Sequence, residues 1–427
     1  MIAEVMNSGR KTNYAFAISV VGGLFFVFGF VTWLNSVLIP FLKQVCHLTD
    51  FQAYFVTLAF YISYTVMAIP ASAILKRTGF TKGMSVGLIT MAVGSLIFIP
   101  AAQARSFPLF LSGLFTQGAG LTLLQTASNP YITILGPIES AAKRISIMGI
   151  CNKVAGMIGI FVLNNLLFSD TQTLSKKIES LSGNELAAEL DILASRLIIP
   201  YIIMALVLIG LAIMIQKAHL PEVNTEQEIT KPEDEINLKG RTSALQFPYL
   251  MLGVLCIFVY VGVEVIAIDT LSLYGQYQGF DLNTAGKFAI YSLIALTAGY
   301  LLGIILIPKY LSQRIALIIC ATLGFIFTIL ALVATGWVSI AFIILLSFAN
   351  ALMWPSIWPL AINKLGRFTK SGSALLIMGI AGGSLLPLVY GALADTSSRQ
   401  IAYWILLPRY VYILFYAARG YRAGLKV

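Results

Sequence analysis

The stretch GAGLTLLQTASNPYITILGPIESAAKRISIMGICNKVAG, residues 118–156, holds two apolar runs separated by Gly136-Pro137 and the basic pair Lys143-Arg144. Each run extends outward to roughly the 20 residues that carry a helix across a bilayer. Gln125, Thr126, Ser128, Asn129 and Pro130 interrupt the first, and Asn152 and Lys153 interrupt the second. Polar groups in hydrocarbon are costly unless they face a partner or a cavity, so the stretch reads as two membrane helices lining a path through protein.

The rest of the chain repeats that pattern. With 427 residues, 58% hydrophobic, 11% charged and a mean hydropathy of +0.87, it carries more apolar surface than a water-soluble core could hide. Twelve apolar runs are read, at 15–41, 51–75, 83–102, 108–133, 145–168, 197–216, 248–273, 286–308, 315–335, 338–362, 373–394 and 401–418. The expected fold is therefore all-α and membrane-embedded, with twelve transmembrane helices in two six-helix bundles, residues 1–216 and 248–427. The run Tyr14–Phe41 is too long for a signal-peptide core and is read as the first span. Residues 217–247, with four basic and six acidic side chains, form the expected linker. A short surface helix is expected between Leu181 and Leu193.

Charge orients the chain. Fifteen lysines and arginines fall at one set of helix ends and seven at the other, apart from the linker. The positive-inside rule then puts both termini and the linker in the cytoplasm of a bacterial inner membrane. The net charge of +10 is scattered in ones and twos between spans, a topological pattern and not a nucleic-acid surface. His47 and His219 are isolated, the four cysteines lack metal spacing, and no nucleotide or nucleophile motif is present. An enzyme, a resident cofactor and a self-contained ATP-driven pump are all disfavoured.

The halves echo each other. Leu135-Gly136 recurs at Leu365-Gly366 and IMGI at 147–150 recurs at 377–380, both displaced by 230 residues. A six-plus-six parallel repeat is the plan of carriers that rock two bundles about a central site.

The polar residues inside the spans nominate that site. Asn35 can donate and accept to neighbouring hydroxyls, and Trp33 can cover an apolar sugar face; interhelical hydrogen bonding is the competing role of Asn35. Gln125 and Asn129 lie four apart on one helical face, and Pro130 is expected to open the helix there. Lys153 lies about 15 Å deeper than Lys143-Arg144 by helix rise, so it needs an acceptor or a polar vestibule. Asn350, Trp354 and Trp358 share a face of the tenth span, as an aromatic wall or a packed stripe. Glu264 and Asp269, five residues apart in the seventh span, are candidates to bind a proton or small cation, against a permanent salt bridge. Arg409, mid-way along the last span, is a candidate partner for either.

On QTASNPYITILGP (125–137), RISIMGICNKVAG (144–156), WLNSVLIPF (33–41), IWPLAINKLG (357–366) and IMGIAGG (377–383), the chain resembles the fucose, glucose and galactose symporter branch of the major facilitator superfamily. The motif style is similar to bacterial glucose, galactose or N-acetylhexosamine transporters. The resemblance implies inward sugar transport driven by a proton or sodium gradient, and the expected mechanism is alternating access around Asn35, Gln125, Asn129 and Asn152, with Trp33, Trp354 and Trp358 as candidate sugar-facing aromatics. In the fucose–proton members the positions of Ser36 and Gln125 are carboxylates; here both are neutral, and Lys153 replaces a small polar residue. Glu264 and Asp269 are then the carboxylates left for coupling. A sugar uniporter or exporter and a nontransporting sensor are the alternatives. The chain is expected to work as a monomer in the lipid bilayer, with no nucleic-acid partner.

Overall fold

A computed structural model describes residues 14–134, 141–168, 181, 183–217, 241–307, 310–365 and 368–425. Among these, twelve segments are long and apolar enough to cross a membrane: Ile18–Val45, Asp50–Leu75, Thr81–Gln103, Phe107–Ser128, Ile147–Phe168, Gly183–Lys217, Pro248–Asp269, Leu282–Leu306, Gln313–Val333, Gly336–Ile362, Ala374–Thr396 and Ile401–Ala418. They are numbered here as spans one to twelve. Their count and order are those read from the sequence. The Gly136-Pro137 break, most of the 217–247 linker and the side chain of Asn129 lie outside the described residues.

Several spans are jointed. The first is two helices, Tyr14–Trp33 and Asn35–Val45, joined through Leu34, which keeps α-helical dihedrals, so Trp33 and Asn35 flank the joint. The eleventh passes through a 3₁₀ turn at Gly379–Ala381 between the helices Thr369–Met378 and Gly382–Thr396. Spans two and three form one assigned helix, Phe55–Gln103, which reverses at Gly79 with φ +76°, a conformation that favours glycine. Pro130 does not open the fourth span, whose helix runs through to Ile134. One missing N–H is too small a loss to break a helix supported on both sides of it. The short helix expected near 181–193 is present as Gly183–Ser195. Its Leu190, Leu193 and Ala194 are buried, and Asp191 binds Arg105 at 2.6 Å.

Within the first half, span one packs against span five; within the second, span seven packs against span eleven. The depth of both crossings is set by glycine. A methyl group on Gly29 would run into the backbone of Asn152, and one on Gly382 into the backbone of Phe258. One level further along, Gly156 lies against the ring of Trp33, and Gly262 against the side chain of Leu386. These contacts are related by a shift of 229 positions on spans one and seven, and 230 on spans five and eleven. The glycine has changed sides each time. The halves meet where span five packs on eight, eleven on two, and one on seven, again a symmetric set.

Candidate functional site

The packing of spans one, five and seven brings most of the nominated residues together. At the joint in span one, the Trp33 indole N–H donates to Asn152 Oδ1 at 3.1 Å. The neighbouring Lys153 ammonium lies 4.3 Å above the centre of the Trp33 ring and 3.7 Å from Glu264 Oε1. Both side chains of that ion pair are nearly buried, at 11% and 12% exposed. Lys153 thus has its acceptor, and it comes from the opposite half of the chain.

From Glu264 the cluster continues through the second half. Tyr260, one turn earlier, donates to Glu264 Oε2 at 2.6 Å. Its ring lies 6.4 Å from that of Trp354, which stacks on Trp358 at 5.3 Å. Trp354 and Trp358 therefore form a wall beside the charged pair. On the other flank Gln125 is half-buried and donates to the Tyr64 hydroxyl at 3.1 Å, and Tyr64 stacks on Tyr61 at 6.2 Å. The arrangement offers amide, hydroxyl and indole edges beside one tethered cation and one carboxylate, a surface suited to a hydroxyl-rich neutral ligand.

Two nominated residues stand apart. Asn35 is 1% exposed and neither side-chain atom has a hydrogen-bond partner. Asp269 is also 1% exposed, with both carboxylate oxygens unpartnered. Arg409 does not pair with Glu264 or Asp269: it donates to the carbonyl of Ile405, and among the described residues no carboxylate binds it. Position along one helix cannot show which helix it faces.

A second constellation went unread. At the end of the molecule that carries the 46–49, 278–281 and 397–400 connections, the two halves are clasped around Asp50. Lys43 binds its carboxylate, and Arg399 reaches it bidentately at 2.7 and 2.9 Å. Burial works against the Arg399 charge, but the hydrogen bonds and charge of Asp50 outweigh it and hold the guanidinium above its ordinary pKa. Asp395 accepts the backbone N–H groups of Asp50 and Phe51, both at 2.9 Å, placing a carboxylate of span eleven on the N-terminus of span two. Beneath them Tyr54 packs edge-on against Tyr390. Nearby, the Asn164 amide donates to the Asn283 carbonyl and side chain at 3.1 and 3.0 Å, fastening span five to span eight.

In the sequence Lys43 and Arg399 count only as topological charges. The available signal was the second span itself, where Asp50 opens the helix and Tyr54, Tyr61 and Tyr64 follow at spacings of seven and three on one face. This end is closed. Asp50→Asn is expected to weaken the closure: a thiol reagent confined to this side should label Ser272→Cys, on a background without native cysteines, several-fold faster. Ser272 is fully buried here and donates to the Ser36 carbonyl, so unchanged labelling would mean that Asp50 does not hold this end shut.

Residues 21–389 match the family described as Major Facilitator Superfamily. The chain is 32% identical over 416 residues to the "Glucose/galactose transporter" of Brucella abortus biovar 1 (strain 9-941), covering 97% of this chain and 96% of that one. It is 27% identical over 394 residues to the "L-fucose-proton symporter" of Escherichia coli (strain K12), covering 92% and 90%. The solved structure of a Major Facilitator Superfamily transporter, FucP, in the outward conformation superposes with a TM-score of 0.70 at 26% identity, over 97% of this chain and all of that one.

Proposed function

Because the chain belongs to the Major Facilitator Superfamily, a family of membrane transporters, we propose that it imports a hexose, glucose, galactose or an N-acetylhexosamine, by cation-coupled alternating access. The two working units are residues 1–216 and 248–427, with 217–247 as the cytoplasmic linker. Both termini face the cytoplasm of a bacterial inner membrane, and the clasp at Asp50 is the external gate. The protein acts as a monomer.

One observation carries this reading: the halves are joined in mid-span by a polar and aromatic cluster running from Trp33 and Asn152 through Lys153 and Glu264 to Trp354. A rocking carrier needs its substrate groups on both bundles, so that binding changes the balance between two packings. Asn35, Gln125, Asn129 and Asn152 supply hydrogen bonds, and Trp33, Trp354 and Trp358 supply flat apolar faces. Hydroxyl recognition by amides costs little desolvation of full charge, which suits a neutral sugar. Coupling resides in the carboxylates of span seven, Glu264 and Asp269, through a proton or sodium.

The test is uptake of labelled glucose, galactose, fucose and N-acetylglucosamine into liposomes holding the purified protein, under separate proton and sodium gradients. Accumulation of a sugar above equilibrium under one gradient is expected. Equilibration without accumulation would replace the symport reading with a uniporter, and absence of sugar flux would move the substrate outside this class.

A further inference from the structure

Resting on the symport reading, we infer that the two carboxylates of span seven divide the work: Asp269 carries the coupling proton, and Glu264 is a fixed anion tied to Lys153. The two environments differ in kind. Glu264 has a cation from span five and a hydroxyl from Tyr260, so its charge is met in place. Asp269 is buried more deeply, at 1% exposed against 12% for the Glu264 side chain, yet neither oxygen has a partner.

An ionised carboxylate without donors or a counter-charge is among the most costly groups to bury, and protonation removes most of that cost. The groups around Asp269 offer no substitute. Span one meets span seven one turn further on, where Ser272 donates to the carbonyl of neutral Ser36 and the neighbouring Asn35 is itself unpartnered. Span two brings Tyr54 and Tyr61 into its electrostatic range, and Tyr61 also senses Glu264. Span twelve contributes Tyr403, engaged with Thr270, and span eleven contributes Tyr390, which lies edge-on to Tyr54 and tilted against Tyr403. On its own helix Glu264 and Tyr260 are bound to each other, and Lys153 is committed to Glu264. A bare metal cation here would need several oxygen ligands; a proton needs one.

The position gives the proton a route. Asp269 is the last residue of the helix Pro248–Asp269, toward the gate, and Thr270, still α-helical, carries the chain on into the helix Leu271–Tyr277. Tyr54 lies beneath the Asp50–Arg399 clasp within electrostatic range of both Asp50 and Asp269, and its buried hydroxyl also lacks a partner. When the clasp opens, water reaches Asp269 from outside and one proton leaves a hydronium ion to form an O–H bond on the carboxylate. The neutral acid can then be enclosed, and the bond breaks when the opposite end admits water. Closure of the gate is thereby linked to protonation: the closed form binds the proton more tightly, and rising pH favours the open form.

The experiment uses the full chain in liposomes with labelled galactose and glucose. A one-unit pH gradient supports about tenfold accumulation per proton, and Asp269→Asn is expected to bring the ratio to about one while leaving exchange of internal for external sugar running. Infrared difference spectra across a pH titration supply a readout independent of transport. The carbonyl stretch of a buried protonated carboxyl is expected at neutral pH in the parent, lost in Asp269→Asn and kept in Glu264→Gln. The parent alone gives a third measurement, since adding galactose to loosely buffered sealed vesicles should make the external medium more alkaline. Retained accumulation in Asp269→Asn, a carboxyl band that survives it, or accumulation driven by sodium and not by protons would each overturn the assignment. Absence of sugar flux with the band lost in Asp269→Asn would instead overturn the sugar reading and leave the proton site standing.

Discussion

Lys153→Met is expected to reduce sugar transport at least about 100-fold and to lower the melting temperature of the detergent-solubilised protein. The change deletes the cation that meets Glu264 at 3.7 Å and leaves a nearly buried carboxylate with the Tyr260 hydroxyl alone. Removing one member of a buried ion pair typically costs about 3–5 kcal/mol, and each 1.4 kcal/mol is tenfold in an equilibrium, so the stated loss is the low end of that range. The same substitution removes the ammonium over the Trp33 ring and exposes the indole that fixes Asn152. Glu264→Gln alone leaves an unpaired lysine and is expected to cost a similar amount. The informative variant is the pair. Lys153→Met with Glu264→Gln removes both charges, and is expected to recover the melting temperature and to bring transport within about tenfold of the parent, because neutral replacement of a buried pair is often close to neutral in energy. Additive losses in the double variant would mean that the two residues do not act on each other.

The second large effect belongs to the helix crossings. Gly382→Ala places a methyl group on the carbonyl of Phe258, and Gly29→Ala places one on that of Asn152. Neither obstacle is the end of a flexible side chain, so spans must separate along their length for the methyl group to fit. Overpacking a yielding core costs about 1–3 kcal/mol, and a backbone obstacle should cost more. Either variant is expected to be poorly recovered in folded form, measured as the monodisperse fraction after solubilisation. Gly23→Ala is the matched control: beyond the backbone of its own helix no described atom lies within 4 Å of its added methyl, and alanine is the better helix former, so full recovery is expected. Equal recovery of all three would show that the crossings tolerate a wider separation than the structure has.

Hydropathy was enough to read twelve spans, and the 230-residue repeat their two-half arrangement, because the bilayer imposes length and apolarity on every helix separately. The site was legible in parts. Trp33, Asn152, Lys153, Glu264, Trp354 and the flanking Gln125 were all identifiable as polar or aromatic interruptions of hydrocarbon. What joined them was not. Lys153 and Glu264 lie 111 positions apart in different halves, and nothing along either helix says that the two faces meet. Arg409 illustrates the same gap from the other side, since a mid-span charge looked like a partner for Glu264 and instead serves its own turn. Pro130 shows a local rule yielding to its surroundings. The clasp at Asp50 escaped because Asp50, Arg399 and Asp395 sit at helix ends, where charge is ordinary.

The exchange of glycines between the two halves accounts for a lopsidedness in the chemistry. At equivalent depths each crossing has a glycine on one helix and a side-chain-bearing residue on the other, and the two halves place them on opposite helices. The first half kept Asn152 and Trp33, an amide and an indole bonded to each other; the second kept Phe258 and Leu386, which offer nothing but hydrocarbon. A twofold plan of the backbone thus carries an amide and an indole at one crossing and hydrocarbon alone at its equivalent, so the symmetry of the packing is not a symmetry of the chemistry.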